Sequence, residues 1–298
     1  MTAKRKPLDH AGLLKLASGA SVVTAGVLIV AKLVAWSVTG SVSLLASLVD
    51  SVMDSFASLI NLFAIRYSLQ PADEQHRFGH GKAEPLAGLV QAAFIAGSAI
   101  FLVFHAIDRL RFTHSLDQVG IGVGVMVFAI VMTLALLAIQ RYVIRKTGST
   151  AIRADSLHYL TDLLTNLSVV LALYLSNQGW TWADPVFAIA VAIYIFYSAF
   201  HIGHDAFQQL MDRQLPEEIL DKIRVTAMSH PEVSGTHEMR TRQAGQTRFV
   251  QLHLELDENL PLKRAHAIAD QVEEEILMFL PDAEVIIHQD PADDSGKR

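Results

Sequence analysis

The sequence contains no cysteine, which excludes disulfide bridges and any metal site built from thiolates. A metal site in this chain must therefore use histidine, aspartate or glutamate side chains. Charge is also scarce, because only 18% of the residues are charged, and no basic stripe suited to a phosphate backbone is present. The sequence therefore does not indicate a nucleic-acid partner.

Long apolar stretches dominate the chain up to about residue 205, and 51% of all residues are hydrophobic. A helix needs about 20 residues to cross the hydrocarbon core of a bilayer. The first apolar run is too long for the core of a signal peptide, so we expect it to be retained. Six stretches are long enough, near 13–37, 41–66, 85–107, 117–142, 151–175 and 182–204. We predict a polytopic α-helical membrane protein, with its six transmembrane helices within residues 13–208.

Lysine and arginine are divided unevenly between the two sides of these predicted spans. One side receives the N-terminal segment 1–12, the second and fourth links and the C-terminal region. The other side receives only Arg109 and Arg111, in the third link. Because positive charge concentrates in cytoplasmic links, we predict a bacterial inner-membrane protein with both termini in the cytoplasm.

After residue 208 the pattern becomes that of a soluble domain. Residues 216–229 and 261–279 have helical patterns, and residues 236–243, 247–257 and 284–288 have strand patterns. The order αββαβ predicts a small α+β domain, residues 209–291, with a layer of helices on a sheet. The polar tail, residues 292–298, is predicted to be disordered.

Charged residues inside the predicted membrane helices need an explanation, because each costs about 2.5–3.5 kcal/mol on insertion scales. Asp50 and Asp54 lie four residues apart in the second span, and His158 and Asp162 lie four apart in the fifth. Residues at this spacing share a helix face, so the two pairs can face each other. Three carboxylates and one imidazole suit a divalent ion such as Zn²⁺. Cd²⁺, Co²⁺, Fe²⁺ and Mn²⁺ remain compatible, and the alternative is that these residues join two helices by hydrogen bonds.

Two further clusters have the residue types of metal ligands. Asp73, His76 and His80 lie in the predicted cytoplasmic link, within residues 71–84, and an ordinary polar loop is the alternative. In the soluble domain, separate elements carry potential ligands, and surface histidines on a solvated sheet are the alternative. These ligands are His237, His253, His266, His288 and Asp290.

Four segments together resemble the cation diffusion facilitators, and more closely the bacterial zinc/iron efflux members of that family. They are SLVDSVMDSFASLIN, HRFGHGKAEPLAGL, ADSLHYLTDLLTN and VIIHQDP. The resemblance covers nearly the whole chain and implies a homodimer with a metallochaperone-like cytoplasmic domain. It implies a transport site at Asp50, Asp54, His158 and Asp162, a loop site at Asp73, His76 and His80, and a two-metal cytoplasmic site at His237, His253, His266, His288 and Asp290. It also implies an intersubunit charge interlock between Lys82 and Asp212.

These observations predict a transporter that exports Zn²⁺ in exchange for protons, with Cd²⁺ and Fe²⁺ as further candidate cargo. Carboxylates held close together compete for protons, so metal and protons can displace one another from the same ligands. A membrane metalloenzyme is the first alternative, but the chain has no HExxH motif. A metal sensor that binds without transporting is the second alternative, and it gives no reason for ligands inside the bilayer.

Overall fold

The computed structural model describes residues 10–40, 42–111, 121–176 and 183–292. The predicted segment before His10, most of the third link and residues 293–298 of the predicted disordered tail lie outside these ranges. The chain divides into two compact units, one formed by Asp9–Phe207 and the other containing Gln208–Arg298.

The first unit is built from six helices, which confirms the predicted membrane architecture. They are α1 His10–Thr39, α2 Val42–Ser68, α3 Ala83–Arg111, α4 Ile121–Thr147, α5 Thr150–Ser176 and α6 Ala183–Leu210. Within the described residues, each of these helices except α5 contains a stretch long and apolar enough to cross a membrane. Helix α5 is less apolar because it carries Arg153, Asp155 and Asp162 along its first half.

Large apolar side chains cover the outside of this helical unit. Phe94 and Phe101 on α3 are 74% and 73% exposed, and Val38 on α1 is 72% exposed. Apolar surface of this extent is unfavourable in water but favourable against lipid tails. The pattern therefore agrees with a bundle embedded in a bilayer.

Helix α5 is the central element, since it contacts α1, α2, α3 and α4. Its N-terminus begins beside α3, where the buried Glu84 carboxylate accepts a hydrogen bond from the Thr150 amide at 3.2 Å. The approach is close because Gly88 has no side chain, and a Cβ there would lie 3.0 Å from Thr150 Cγ2. Such small residues allow membrane helices to pack tightly. This packing places the first half of α5, with its ionisable residues, inside the bundle.

The second unit has the predicted αββαβ order. Its elements are α7 Glu217–Met228, β1 Gly235–Ala244, β2 Thr247–Leu256, α8 Leu262–Phe279 and β3 Ala283–Pro291. The sheet order is β1-β2-β3, with β1 antiparallel and β3 parallel to β2. The alternating side chains Val250, Leu252, Leu254 and Leu256 of β2 are buried against the helices. Strand β3 continues beyond the predicted residue 288, because its pairing with β2 extends to Pro291.

Candidate metal sites

Three of the four predicted membrane ligands lie together between α2 and α5. His158 Nε2 lies 3.0 Å from Asp54 Oδ1 and 4.0 Å from Asp162 Oδ2. One ligand atom from each residue lies within 4.8 Å of the other two. The side chains are 21–39% exposed, so the cluster is neither sealed in the core nor open on the surface. Two carboxylates and an imidazole at these distances can converge on one divalent ion.

Asp50 is on the same helix as Asp54, one turn earlier, but its side chain is exposed. Among the described residues, the group of ligand atoms within 4.8 Å contains Asp54, His158 and Asp162 without Asp50. Residues four apart on a helix are neighbours on one face, so a change of rotamer can bring the Asp50 carboxylate toward the cluster. Its role as a fourth ligand stays a prediction.

A hydrogen-bonded chain joins the two helices that carry these ligands. Tyr159, next to His158 on α5, donates its hydroxyl hydrogen to the Ser21 carbonyl oxygen on α1 at 3.1 Å. The Ser58 hydroxyl on α2 lies 2.9 Å from the same Tyr159 oxygen and can donate to it. Ser58 follows Asp54 by one helical turn, so this chain holds α2 and α5 together directly beside the ligand cluster.

Asp155 occupies a fully buried polar centre that sequence analysis did not assign a role. Its carboxylate accepts hydrogen bonds from Ser21 Oγ at 2.5 Å, Gln140 Nε2 at 2.8 Å and Gln91 Nε2 at 3.3 Å. These partners lie on α1, α4 and α3, so the carboxylate connects four helices. The presence of glutamine amides within apolar spans was the available signal, but their convergence on Asp155 depends on helix packing.

Lys32 on α1 is a second ionisable residue that sequence analysis missed. Its ammonium group donates hydrogen bonds to two groups of α2, the Ser47 carbonyl oxygen and the Ser51 hydroxyl. A lysine inside an apolar span was itself the signal, because such residues usually serve a function. The structure places this cation next to the helix that carries Asp50 and Asp54.

The loop between α2 and α3 brings its three predicted ligands together. His76 Nδ1 and His80 Nε2 each lie 3.4 Å from an oxygen of Asp73. The rings of the two histidines have centroids 4.6 Å apart. Gly79 permits this close return of the chain, because its φ of 75° is in the left-handed region. The arrangement can hold one metal ion with three protein ligands.

Hydrogen bonds orient the ligands of this loop cluster. The amides of His76 and Gln75 donate to Asp73 Oδ1 at 2.6 and 2.9 Å, and the bond from His76 contributes most to lowering the pKa of that carboxyl. His80 Nδ1 lies 3.2 Å from the Pro71 carbonyl oxygen, which can accept its hydrogen. In that tautomer the lone pair of Nε2 faces Asp73, as a metal ligand requires.

In the cytoplasmic unit, strand register aligns three predicted histidine ligands. His237 pairs with His253 across β1 and β2, and His253 pairs with His288 across β2 and β3. Asp290 lies between them, with Oδ2 at 2.7 Å from His253 Nδ1 and 3.2 Å from His237 Nε2. Its other oxygen lies 3.1 Å from His288 Nε2. The hydrogen bond from His253 is the main cause that lowers the pKa of Asp290.

Two residues of this region differ from the sequence-based picture. Glu255 was not predicted, yet its Oε1 lies 2.9 Å from His237 Nδ1, although without hydrogen-bond alignment. His266 was predicted as a ligand, but on α8 it is 69% exposed and its Nδ1 lies 3.6 Å from Asp270. Within the described part of one chain, the ligand atoms in this region that lie within 4.8 Å of one another belong to His237, His253 and Asp290. A place for His266 in a two-metal site therefore stays a prediction that concerns the dimer.

The predicted interlock partners belong to different units of the chain. Asp212 lies 3.4 Å from the Arg242 guanidinium within its own unit. Its φ of 57° places it in the left-handed region at the end of α6. The intersubunit pairing of Asp212 with Lys82 stays a prediction.

Comparison with known proteins identifies relatives along almost the whole sequence. The cation efflux transmembrane domain matches residues 19–211, and the cytoplasmic domain of cation efflux proteins matches residues 215–292. The chain is 52% identical to the cation-efflux pump FieF of Klebsiella pneumoniae over 284 residues, covering 95% of both chains. It is 51% identical to FieF of Serratia proteamaculans over 283 residues, covering 95% of this chain and 94% of the relative. The metal-bound C-terminal domain of the CzcD transporter from Thermotoga maritima is 29% identical, covers 25% of this chain and 87% of its own, and has a TM-score of 0.24.

Proposed function

Because this chain belongs to the cation efflux family, the cation diffusion facilitators, we propose that it exports Zn²⁺ in exchange for protons. Membership follows from the two domain matches and from 52% identity to a cation-efflux pump over 95% of the chain. The chain is thus a membrane transporter of metal cations with a cytoplasmic dimerisation domain. The choice of Zn²⁺, the exchange with protons and the individual sites are what we propose beyond that.

The observation that carries the proposal is the contact between His158 Nε2 and Asp54 Oδ1 at 3.0 Å, with Asp162 at 4.0 Å. Asp54 lies midway along α2, and His158 and Asp162 lie in the first half of α5. Both helices are long enough to span a bilayer. One imidazole among carboxylates favours Zn²⁺ and similar ions over Mg²⁺ and Ca²⁺, which prefer oxygen ligands alone. Cd²⁺ and Fe²⁺ fit the same donor set. In our proposal Asp50 completes the ligand shell when the metal is bound.

Proton exchange follows from the chemistry of these ligands. Metal binding needs deprotonated carboxylates and a neutral imidazole, so an incoming ion displaces protons and incoming protons release the ion. Alternating access then requires only that the same site opens first to one side of the membrane and then to the other. The lysine and arginine distribution supports a cytoplasmic position of the α2–α3 link. In our proposal the exported ion therefore travels from the cytoplasm to the periplasm across a bacterial inner membrane.

The two other clusters support transport without lying on its path. We propose that the cytoplasmic cluster around Asp290 binds metal at the contact between two subunits of a homodimer, with His266 joining it there. We propose that the loop cluster at Asp73, His76 and His80 binds metal and steadies the link between α2 and α3. The Lys82–Asp212 interlock would hold the two subunits near the membrane surface.

The test is Zn²⁺ flux into proteoliposomes under an imposed pH gradient. Wild type is expected to move Zn²⁺ in proportion to the gradient, whereas Asp54→Ala and His158→Ala are expected to lose transport. His201→Ala is the matched control, because it removes an exposed histidine of α6 that lies outside the ligand cluster. Normal flux in folded Asp54→Ala and His158→Ala would contradict the assignment of the site. Zn²⁺ binding by wild type without flux would instead favour a sensor.

A further inference from the structure

A lysine well inside α1 directs its ammonium group at the ligand-bearing face of α2. Lys32 Nζ lies 2.6 Å from Ser51 Oγ and 3.1 Å from the Ser47 carbonyl oxygen. Ser51 is only 4% exposed, and it directly follows Asp50 in the chain. Asp54, another predicted ligand, lies three residues after Ser51 on the same helix.

The position of Lys32 is not that of a lysine reaching for the membrane surface. It lies roughly 10 Å from the end of α1 at Thr39, at a rise of 1.5 Å per residue. Lysines near helix ends extend toward water, but Lys32 instead makes both of its hydrogen bonds to the neighbouring helix. A cation kept inside an apolar helix needs a compensating partner, and the helix that Lys32 contacts carries two carboxylates, Asp50 and Asp54.

Charge balance gives this lysine a role in metal binding. In the loaded site the carboxylates of Asp50, Asp54 and Asp162 are ionised, because metal binding requires deprotonated ligands. They carry three negative charges, and a divalent ion neutralises two of them. Before the ion binds, the ammonium group of Lys32 already offsets one of these negative charges, so an incoming cation gains less from the same carboxylates.

We infer that Lys32 is a built-in counter-charge of the membrane site that weakens metal binding and thereby allows release of the ion. The inference rests on the proposed transport site. Lys32 repels the bound cation and competes with it for the same carboxylates. A transporter benefits from this, because an ion held too tightly by three carboxylates would leave slowly. Lys32 therefore sets affinity without being a ligand.

The expected effect is large enough to measure. At an effective dielectric constant near 20, the repulsion between two unit charges about 10 Å apart is enough to weaken binding by more than tenfold. The repulsion between Lys32 and a divalent ion is larger, because the ion carries two charges. Lys32→Gln keeps a hydrogen-bond donor for Ser51 but removes the charge. We expect this variant to bind Zn²⁺ about tenfold or more tightly than wild type.

The experiment compares Zn²⁺ binding and transport in the full-length protein in nanodiscs and proteoliposomes. Binding that Asp54→Ala loses defines the membrane site and separates it from the loop and cytoplasmic clusters. Lys32→Gln should lower both the dissociation constant at this site and the maximal transport rate. Lys32→Arg retains the charge and should restore the weaker affinity. Lys15→Gln is the charge-matched control, because Lys15 is exposed at the other end of α1.

The outcomes distinguish this inference from the proposed function. If Asp54→Ala changes neither binding nor flux, the transport site itself is wrongly assigned. If Asp54→Ala abolishes transport but Lys32→Gln binds Zn²⁺ with unchanged or weaker affinity, only the counter-charge role is refuted. A loss of affinity shared by Lys32→Gln and Lys32→Arg would indicate that Lys32 merely holds α1 against α2.

Discussion

The hydrogen bond between Ser58 and Tyr159 offers a test of how the ligand-bearing helices are held together. Tyr159→Phe removes one hydroxyl that contacts both Ser58 Oγ at 2.9 Å and the Ser21 carbonyl oxygen at 3.1 Å. Tyr159 is only 2% exposed, and phenylalanine preserves its apolar packing. The substitution therefore isolates two hydrogen bonds beside Asp54 and His158 without changing either ligand.

The magnitude follows from what such bonds contribute between membrane helices. Double-mutant cycles give about 0.6 kcal/mol per bond on average and up to about 1.7 kcal/mol. Loss of two bonds should therefore destabilise the helical bundle by about 1–2 kcal/mol. Part of this loss can be recovered, because the Ser58 hydroxyl can turn to a carbonyl oxygen one turn earlier in its own helix. We expect Zn²⁺ affinity at the membrane site to fall by about fivefold, which corresponds to about 1 kcal/mol.

The assay is a double-mutant cycle of Tyr159→Phe and Ser58→Ala, measured by thermal unfolding in detergent and by Zn²⁺ binding. If the two hydroxyls act together, the double variant should be less destabilised than the sum of the single variants, with a coupling of about 0.5–1 kcal/mol. Tyr197→Phe is the matched control, because it removes a tyrosine hydroxyl from the exposed surface of α6. Strictly additive effects, or unchanged Zn²⁺ affinity in Tyr159→Phe, would refute the view that this bond positions the ligands.

Three further predictions concern other polar groups. Asp155→Ala should destabilise the membrane unit by about 2–4 kcal/mol in thermal unfolding, since it removes the buried acceptor shared by Ser21, Gln140 and Gln91; an effect below about 1 kcal/mol would contradict this. Asp290→Ala should weaken Zn²⁺-dependent stabilisation of the cytoplasmic domain, measured as the shift of its melting temperature with added metal, and an unchanged shift would show that Asp290 is not a ligand. The pKa of Asp73 is lowered chiefly by the His76 amide, so its stabilisation of the loop should be present above the unfolded value of 3.8 and be lost as pH falls through the lower folded value. Carboxyl chemical shifts followed by NMR would reveal this, and a midpoint at or above 3.8 would exclude the hydrogen-bonded geometry.

Local patterns were sufficient to predict most elements of the fold. The apolar runs predicted six helices because a helix that crosses a bilayer must satisfy its own backbone and present apolar side chains to lipid. Alternation in residues 247–257 predicted β2, because a strand with one buried face alternates in polarity. The end of β3 was predicted too early, because its last residues belong to the strand only through parallel pairing with β2.

The candidate ligands were predictable for a similar reason. Spacing of four residues on α2 and α5 indicated shared helix faces, and the structure does bring Asp54, His158 and Asp162 together. The histidines of the cytoplasmic sheet could be assigned to neighbouring strands, but their alignment depended on the register, which places His237, His253 and His288 opposite one another. The exposed position of His266 on α8 could not be anticipated from its spacing.

The sequence by itself determined the membrane class of this chain, its two-part organisation and the residue types available to bind metal, since composition and periodicity are local properties. Only the tertiary structure decided which polar groups meet. Lys32 hydrogen-bonds to Ser51 of α2, and Gln91, Gln140 and Ser21 converge on Asp155, because the helices that carry these residues pack side by side. Charge balance and hydrogen bonding around a site depend on such contacts between helices. The spacing of residues along a single helix shows which residues share a face, but not which residues of another helix they meet.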